Sequence, residues 1–153
     1  MGLFDRKLKG TPFDWLVVGL GNPGEKYRRT RHNVGVEVIE LLAERHDAPL
    51  KAGRDNSLVG EARFGTGIDA PRVALAFPLT FMNESGRAVG EAMRFYKLEP
   101  TDLVVFHDEI DLAPGKCRVK NGGGHAGHNG LRSIHEHIGP HYTRVRIGVG
   151  HPG

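Results

Sequence analysis

The stretch WLVVGLGNPGEKYRRTRHNVGVEVIELLAERHDAP, Trp15 to Pro49, carries the reading of the fold. Trp15 to Leu20 is an apolar run of strand length, and Gly21-Asn22-Pro23-Gly24 ends it, the pattern of a buried strand followed by a turn. A basic loop comes next, in which Lys26, Arg28, Arg29 and Arg31 fall within six residues. From Asn33 onward the period changes: Val34, Val38, Leu41 and Leu42 recur at helical spacing, with Asn33 placed to cap the helix and Pro49 to stop it. A buried strand leading into an amphipathic helix is the repeating unit of a layered α/β domain.

The rest of the chain extends that pattern. Leu58 to Gly65 and Arg72 to Phe77 read as strands joined by a turn containing Gly67, Asp69 and Pro71, hence a hairpin. Asn83 can cap a second helix whose apolar face is Val89, Ala92, Met93 and Tyr96, closed by Pro100. Leu103 to Phe106 is a continuous apolar strand running straight into His107-Asp108, and Lys116 to Lys120 alternates as a later strand. Leu131, Ile134 and Ile138 mark a third helix. Val145, Ile147 and Val149 alternate along a last strand with Arg144 and Arg146 on its opposite face. The sum is one three-layer α/β/α domain with a mixed, largely parallel, twisted central sheet, preceded by an extension over residues 1–12 that mixes charge, Gly and Pro without a period.

Composition supports a folded single domain: 153 residues, 39% hydrophobic and 25% charged, suit one core and exclude the low-hydrophobicity composition of disordered chains. The net charge of +3 favours an anionic partner. Lys116, Arg118 and Lys120, alternating on one strand face, add to that preference. Cys117 is the only cysteine, so an internal disulfide is impossible; its alternation with those cations places it in the core, and a cytoplasmic home is expected. No apolar run approaches the roughly 20 residues that span a bilayer, which excludes a membrane-embedded reading of the sequence.

In open α/β sheets ligands sit beyond the carboxyl ends of strands, and three such ends carry unusual polar loops. The first has Asn22, Tyr27, His32 and Asn33; the second Phe81, Met82 and Asn83; the third Asp108 and Asp111. A fourth segment, Gly122 to Asn129, is glycine-rich and can bring bare backbone near a ligand. This set holds a base, a carboxylate able to orient it and several amides, with no nucleophile beside them, which points to water attack. Taken alone, His32 reads as an ordinary helix-start or surface histidine.

The motifs change that reading. GLGNPG-x-x-Y-x-x-T-RHN (Gly19 to Asn33), PLTFMNESG (Pro78 to Gly86), HDE-x-D-x-x-PG (His107 to Gly115) and GGGHAGHNGL (Gly122 to Leu131) together resemble the bacterial-type peptidyl-tRNA hydrolase family, from about residue 15 to the end. The resemblance implies that His32 is the proton acceptor for water, that Asp108 holds it in its basic form, and that Asn22 discriminates a peptidyl from a free aminoacyl ester. It further implies substrate contacts at Tyr27, Phe81, Asn83 and Asn129, a cleft wall at Met82, and tRNA phosphate contacts at Lys120, Arg144 and Arg146. No metal and no cofactor are implied, the partner is peptidyl-tRNA, and a monomer without an obligate protein partner is expected. Asp111, His125 and His128 take structural roles in turns and loop hydrogen bonding. Relatives continue past Gly-His-Pro-Gly into a helical segment bordering the cleft, so residues 13–153 are expected to be the catalytic domain without that lid.

Three other readings compete. Gly19-x-Gly21-x-x-Gly24 matches a dinucleotide fingerprint, but Pro23 and a charged run follow where an apolar helix should open. His107, Asp108, Asp111, His125 and His128 could ligate zinc or manganese, although their spacing is only weakly diagnostic. A non-catalytic RNA-binding protein on the same scaffold would retain the same motifs.

Overall fold

A computed structural model describes residues 13–53 and 56–151. The extension read over residues 1–12 lies outside them. Seven strands form one sheet in the order β2-β3-β4-β1-β5-β7-β6. They are β1 (Trp15–Gly19), β2 (Lys51–Ala52), β3 (Ser57–Arg63), β4 (Arg72–Pro78), β5 (Leu103–Glu109), β6 (Cys117–Asn121) and β7 (Thr143–Gly148). The central strands β4, β1, β5 and β7 run parallel, whereas β2, β3 and β6 pair antiparallel at the two flanks. The hairpin expected from Gly67 and Pro71 is β3–β4, paired from Ser57 opposite Pro78 to Arg63 opposite Arg72.

Helices α1 (Val34–Arg45), α2 (Ser85–Tyr96) and α3 (Asn129–Ile138) cover the sheet unequally. One face packs Val17, Val73 and Leu75 against Ile39 and Ala43 of α1. The other packs Leu16, Val18, Leu103 and Val105 against Val89 and Met93 of α2 and Leu131 and Ile134 of α3. Glycine sets how closely these layers meet. A Cβ on Gly19 would lie 2.1 Å from the Gly35 carbonyl oxygen, and one on Gly35 would lie 2.4 Å from that of Phe106. The first turn of α1 therefore rests directly on β1 and β5, and the turn that precedes it, Arg31–Asn33, is held over their carboxyl ends. On the opposite face Gly86 lets α2 touch α3, where its N–H donates to Ser133 Oγ at 2.8 Å.

Several local expectations are corrected. Asn33 holds the N-cap position of α1 as expected, but its side chain makes no capping bond and turns back onto the backbone of Asn22. Asn83 lies inside a 3-10 turn, Met82–Glu84, and α2 begins only at Ser85. β5 runs three residues further than its apolar stretch, so His107 and Asp108 are strand residues. Cys117 is exposed rather than core, because β6 is an edge strand whose five residues all face solvent. Alternation separates the two faces of a strand but does not say that either one is covered.

Candidate active site at the carboxyl ends of β1 and β5

Asn22 follows β1 and is clamped from two sides. The buried Asn33 side chain accepts from the Asn22 N–H at 2.9 Å and donates to the Asn22 carbonyl at 2.8 Å. The Asn22 side chain in turn accepts from the Met82 N–H at 2.7 Å. Since that partner is a backbone donor, the bonded atom is the amide oxygen, and the NH2 group is left free to donate.

His32 stands on the turn before α1 with its side chain 62% exposed and its Nδ1 2.5 Å from Asp108 Oδ2. Asp108 is 5% exposed at the end of β5, and its other oxygen, Oδ1, lies 2.8 Å from His128 Nε2. The protonation of His128 follows from its second nitrogen: Nδ1 accepts from the Gly130 and Leu131 N–H groups at 3.1 and 3.3 Å, capping α3. It must therefore carry its proton on Nε2 and donate it to Asp108. Burial pushes the Asp108 carboxyl up, but the hydrogen bonds from His128 and then from His32 outweigh that and leave it below the usual value. An ionised carboxylate in this position selects the His32 tautomer with Nδ1 protonated, leaving Nε2 as an unprotonated, solvent-facing base.

Behind this pair His107 is 2% exposed, and burial above all pulls its pKa down to about 4. Its Nδ1 donates to the Asp108 carbonyl at 2.8 Å, which fixes the strand end that carries the carboxylate. His107 thus remains neutral at neutral pH.

These groups open onto a cavity of about 340 Å³ lined by Asn22, His32, Met82, Asp108, His128 and Asn129, with Glu109, Ile110, Ala126 and Gly127. Its size suits a small-molecule subsite. Of the residues expected at the site, His32, Asp108, Asn22, Asn129 and Met82 converge here. Phe81 and Asn83 flank Met82 on an exposed turn outside the lining, and Tyr27 sits on the neighbouring 3-10 turn with the Lys26 ammonium 5.0 Å above its ring. A second cavity of about 430 Å³ shares Asn22 and lies on the Arg28, Arg29 and Glu37 side, away from His32.

The three expected phosphate contacts separate. Lys120 is exposed on β6. Arg146 is engaged with Glu109 at 3.2 Å. Arg144 is corrected outright: it is 1% exposed and its guanidinium donates to the carbonyls of Gly123 and Gly124 at 2.7 and 2.5 Å, so it faces the protein and not a phosphate. His128 is the residue whose importance the sequence understated; the signal available was its place directly before Asn129 at the start of a helix. The candidate metal set does not assemble: Asp111 pairs with His151 at 2.8 Å, His125 accepts from the Gly127 N–H, and no group of three or more His, Cys, Asp or Glu able to hold a metal occurs among the described residues.

A family profile described as peptidyl-tRNA hydrolase matches residues 16–153. The chain belongs to the peptidyl-tRNA hydrolase family. Among relatives, it is 60% identical to a peptidyl-tRNA hydrolase of Dinoroseobacter shibae over 138 residues, which is 90% of this chain and 57% of that one. A peptidyl-tRNA hydrolase of Parvibaculum lavamentivorans is 59% identical, with 90% of this chain and 65% of the relative covered. The crystal structure of peptidyl-tRNA hydrolase from Acinetobacter baumannii superposes with a TM-score of 0.83 at 46% identity, covering 91% of this chain and 69% of that one. The chain thus spans somewhat under two thirds of the length of these sequence relatives. The match begins one residue into β1, so the peptidyl-tRNA hydrolase profile and the described fold cover the same unit. Among the described residues no helix is long and apolar enough to cross a membrane.

Proposed function

We propose that this chain hydrolyses the ester between a peptide and tRNA, releasing both, with His32 as general base. The single observation that carries the reading is the 2.5 Å contact of His32 Nδ1 with Asp108 beside the free amide of Asn22, in a chain of this family. His32 Nε2 takes a proton from water as the oxygen attacks the ester carbonyl, and Asp108 stabilises the imidazolium. The tetrahedral intermediate collapses by breaking the bond to the ribose oxygen, which receives the proton from His32. Asn22 donates its NH2 to a carbonyl of the peptide, and Asn129 borders the same space. Tyr27, Phe81 and Asn83 contact the substrate around this cavity, and Lys120 and Arg146 remain the candidates for tRNA phosphate. The ligand is the acceptor end of tRNA with its peptide, and the chain acts as a cytoplasmic monomer without an obligate protein partner.

The test is turnover of an N-blocked aminoacyl-tRNA such as diacetyl-lysyl-tRNA. His32→Ala is expected to cut the rate by about 10²–10⁴-fold, the usual worth of a general base, with tRNA binding preserved. A variant that keeps most of its rate would show the base to be wrong. Binding of tRNA without turnover by the unaltered chain would instead favour a non-catalytic RNA-binding role.

A further inference from the structure

Among the described residues Arg144 is the largest fully buried side chain. Among the described residues no carboxylate stands within ion-pair distance of it, so its charge is solvated by carbonyl dipoles. Besides Gly123 and Gly124, it reaches the Pro140 carbonyl at 3.3 Å and His135 Nε2 at 3.1 Å, and its fork lies 4.9 Å from the Tyr142 ring centroid. One guanidinium therefore joins the exit of β6, the middle of α3 and the entry to β7. As His135 Nε2 accepts from an arginine, that imidazole is neutral, in keeping with the lowering of its pKa by burial and then by Arg144.

What the fork holds is the segment that leads into the site. Gly122 and Gly123 have φ of 70° and 90°, a backbone of high intrinsic freedom that costs most to order. The loop then runs through Ala126 and Gly127 in the cavity wall to His128, which donates to Asp108, and Asn129. Among the described residues, the hydrogen bonds that tie the first three glycines to the sheet are that of Gly122 N–H to the Tyr142 carbonyl and those from Arg144.

We propose that Arg144 is a positioning residue: its buried fork fixes the Gly122–Gly124 backbone and so aims His128 at Asp108. It acts through other groups and touches no substrate. The kinetic part rests on the hydrolase reading; the loop-ordering part does not.

Arg144→Lys keeps the charge and discards the planar fork. Amide exchange at Gly127, Gly130 and Leu131 is expected to quicken while that at Val18 and Val105 in the sheet does not. With N-blocked aminoacyl-tRNA, kcat falls about 10- to 100-fold, the scale of a misplaced catalytic group, and tRNA affinity and its salt dependence are unchanged. Unaltered loop exchange, or acceleration spread evenly through the sheet, would overturn the proposal. So would a loss of tRNA affinity with a shallower salt slope, the mark of a direct phosphate contact. Should the lysine variant not fold, the unaltered protein decides: four separate, slowly exchanging Arg144 Nη–H signals are expected by NMR, and one averaged, solvent-exchanging signal refutes the fork. An unaltered chain without turnover would sink the hydrolase reading alone, since the exchange arm still reports on Arg144.

Discussion

Asp108 has both carboxylate oxygens committed to imidazoles, one solvent-facing and one buried at a helix start. The asymmetry assigns the roles. His128 is locked by the N–H groups it caps, whereas His32 keeps a free nitrogen, so only His32 can exchange protons with a ligand. Asp108→Asn preserves shape but replaces one acceptor with a donor, which disfavours the Nδ1–H tautomer of His32. The expected loss in kcat is about 10²–10⁴-fold with KM little changed, read from saturation curves on the blocked substrate. His107 gives a separate stability prediction. With a folded pKa of about 4 against the ordinary 6.5, the unfolded chain binds the extra proton between those values. Stability is therefore complete above about pH 6.5 and declines as pH falls toward 4, by about 3 kcal/mol in total. Asp108, whose pKa is depressed, adds to the loss at still lower pH. Urea midpoints measured from pH 7 to 4 should follow this slope, and His107→Gln should flatten it.

At the scale of elements, the site depends on how closely α1 sits on the sheet. Gly19 and Gly35 remove the side chains that would otherwise separate the helix from β1 and β5, and the contact carries Asn33 and His32 to Asp108. Gly35→Ala has no room to relax, because a Cβ there meets the Phe106 oxygen and the backbone of Leu20, all rigid atoms within 2.9 Å. We expect destabilisation of about 1–3 kcal/mol or more by overpacking, seen as a lower urea midpoint. Activity should fall further than the folded fraction does, since α1 must lift away from Asp108. Equal losses in the two measurements would mean that the helix contact serves stability only. The sequence placed the start of α1 correctly after Asn33 and that of α2 one residue early, after Asn83. Asn33 and Asn83 have the composition of caps, yet one is recruited to clamp Asn22 and the other sits in a 3-10 turn, while the true side-chain cap is His128.

For the molecule as a whole, the sheet is covered by two helices on one face and by one on the other. α1 spans β4, β1 and β5, so β7 and β6 on that side have no helix over them among the described residues. Val119 is 68% exposed, and Cys117 shares its face. A thiol reagent should accordingly label Cys117 in the native protein with one equivalent and at the rate of a free peptide cysteine. Slow labelling that needs denaturant would show this face to be covered in solution. On the other face the same two strands present Arg118 and Lys120 on β6 and Arg144 and Arg146 on β7. Of these four, Arg118 and Lys120 on the edge strand are exposed, Arg146 is partly exposed beside Glu109, and Arg144 is buried.

Periodicity by itself determined the layered α/β architecture, the β3–β4 hairpin and the three helices, because the burial of apolar side chains obeys periods of 2 and 3.6 that are written in the residue order. Motif spacing also singled out His32, Asn22 and Asp108, although Asp108 lies in β5 and not in a loop after it. Only the folded chain decided which of the alternating arginines meets solvent, whether the far face of β6 is covered, and that His128 completes the Asp108 pair. Those outcomes depend on what lies across the sheet from a residue, over separations such as the 76 positions between His32 and Asp108, and no local pattern encodes a neighbour that distant.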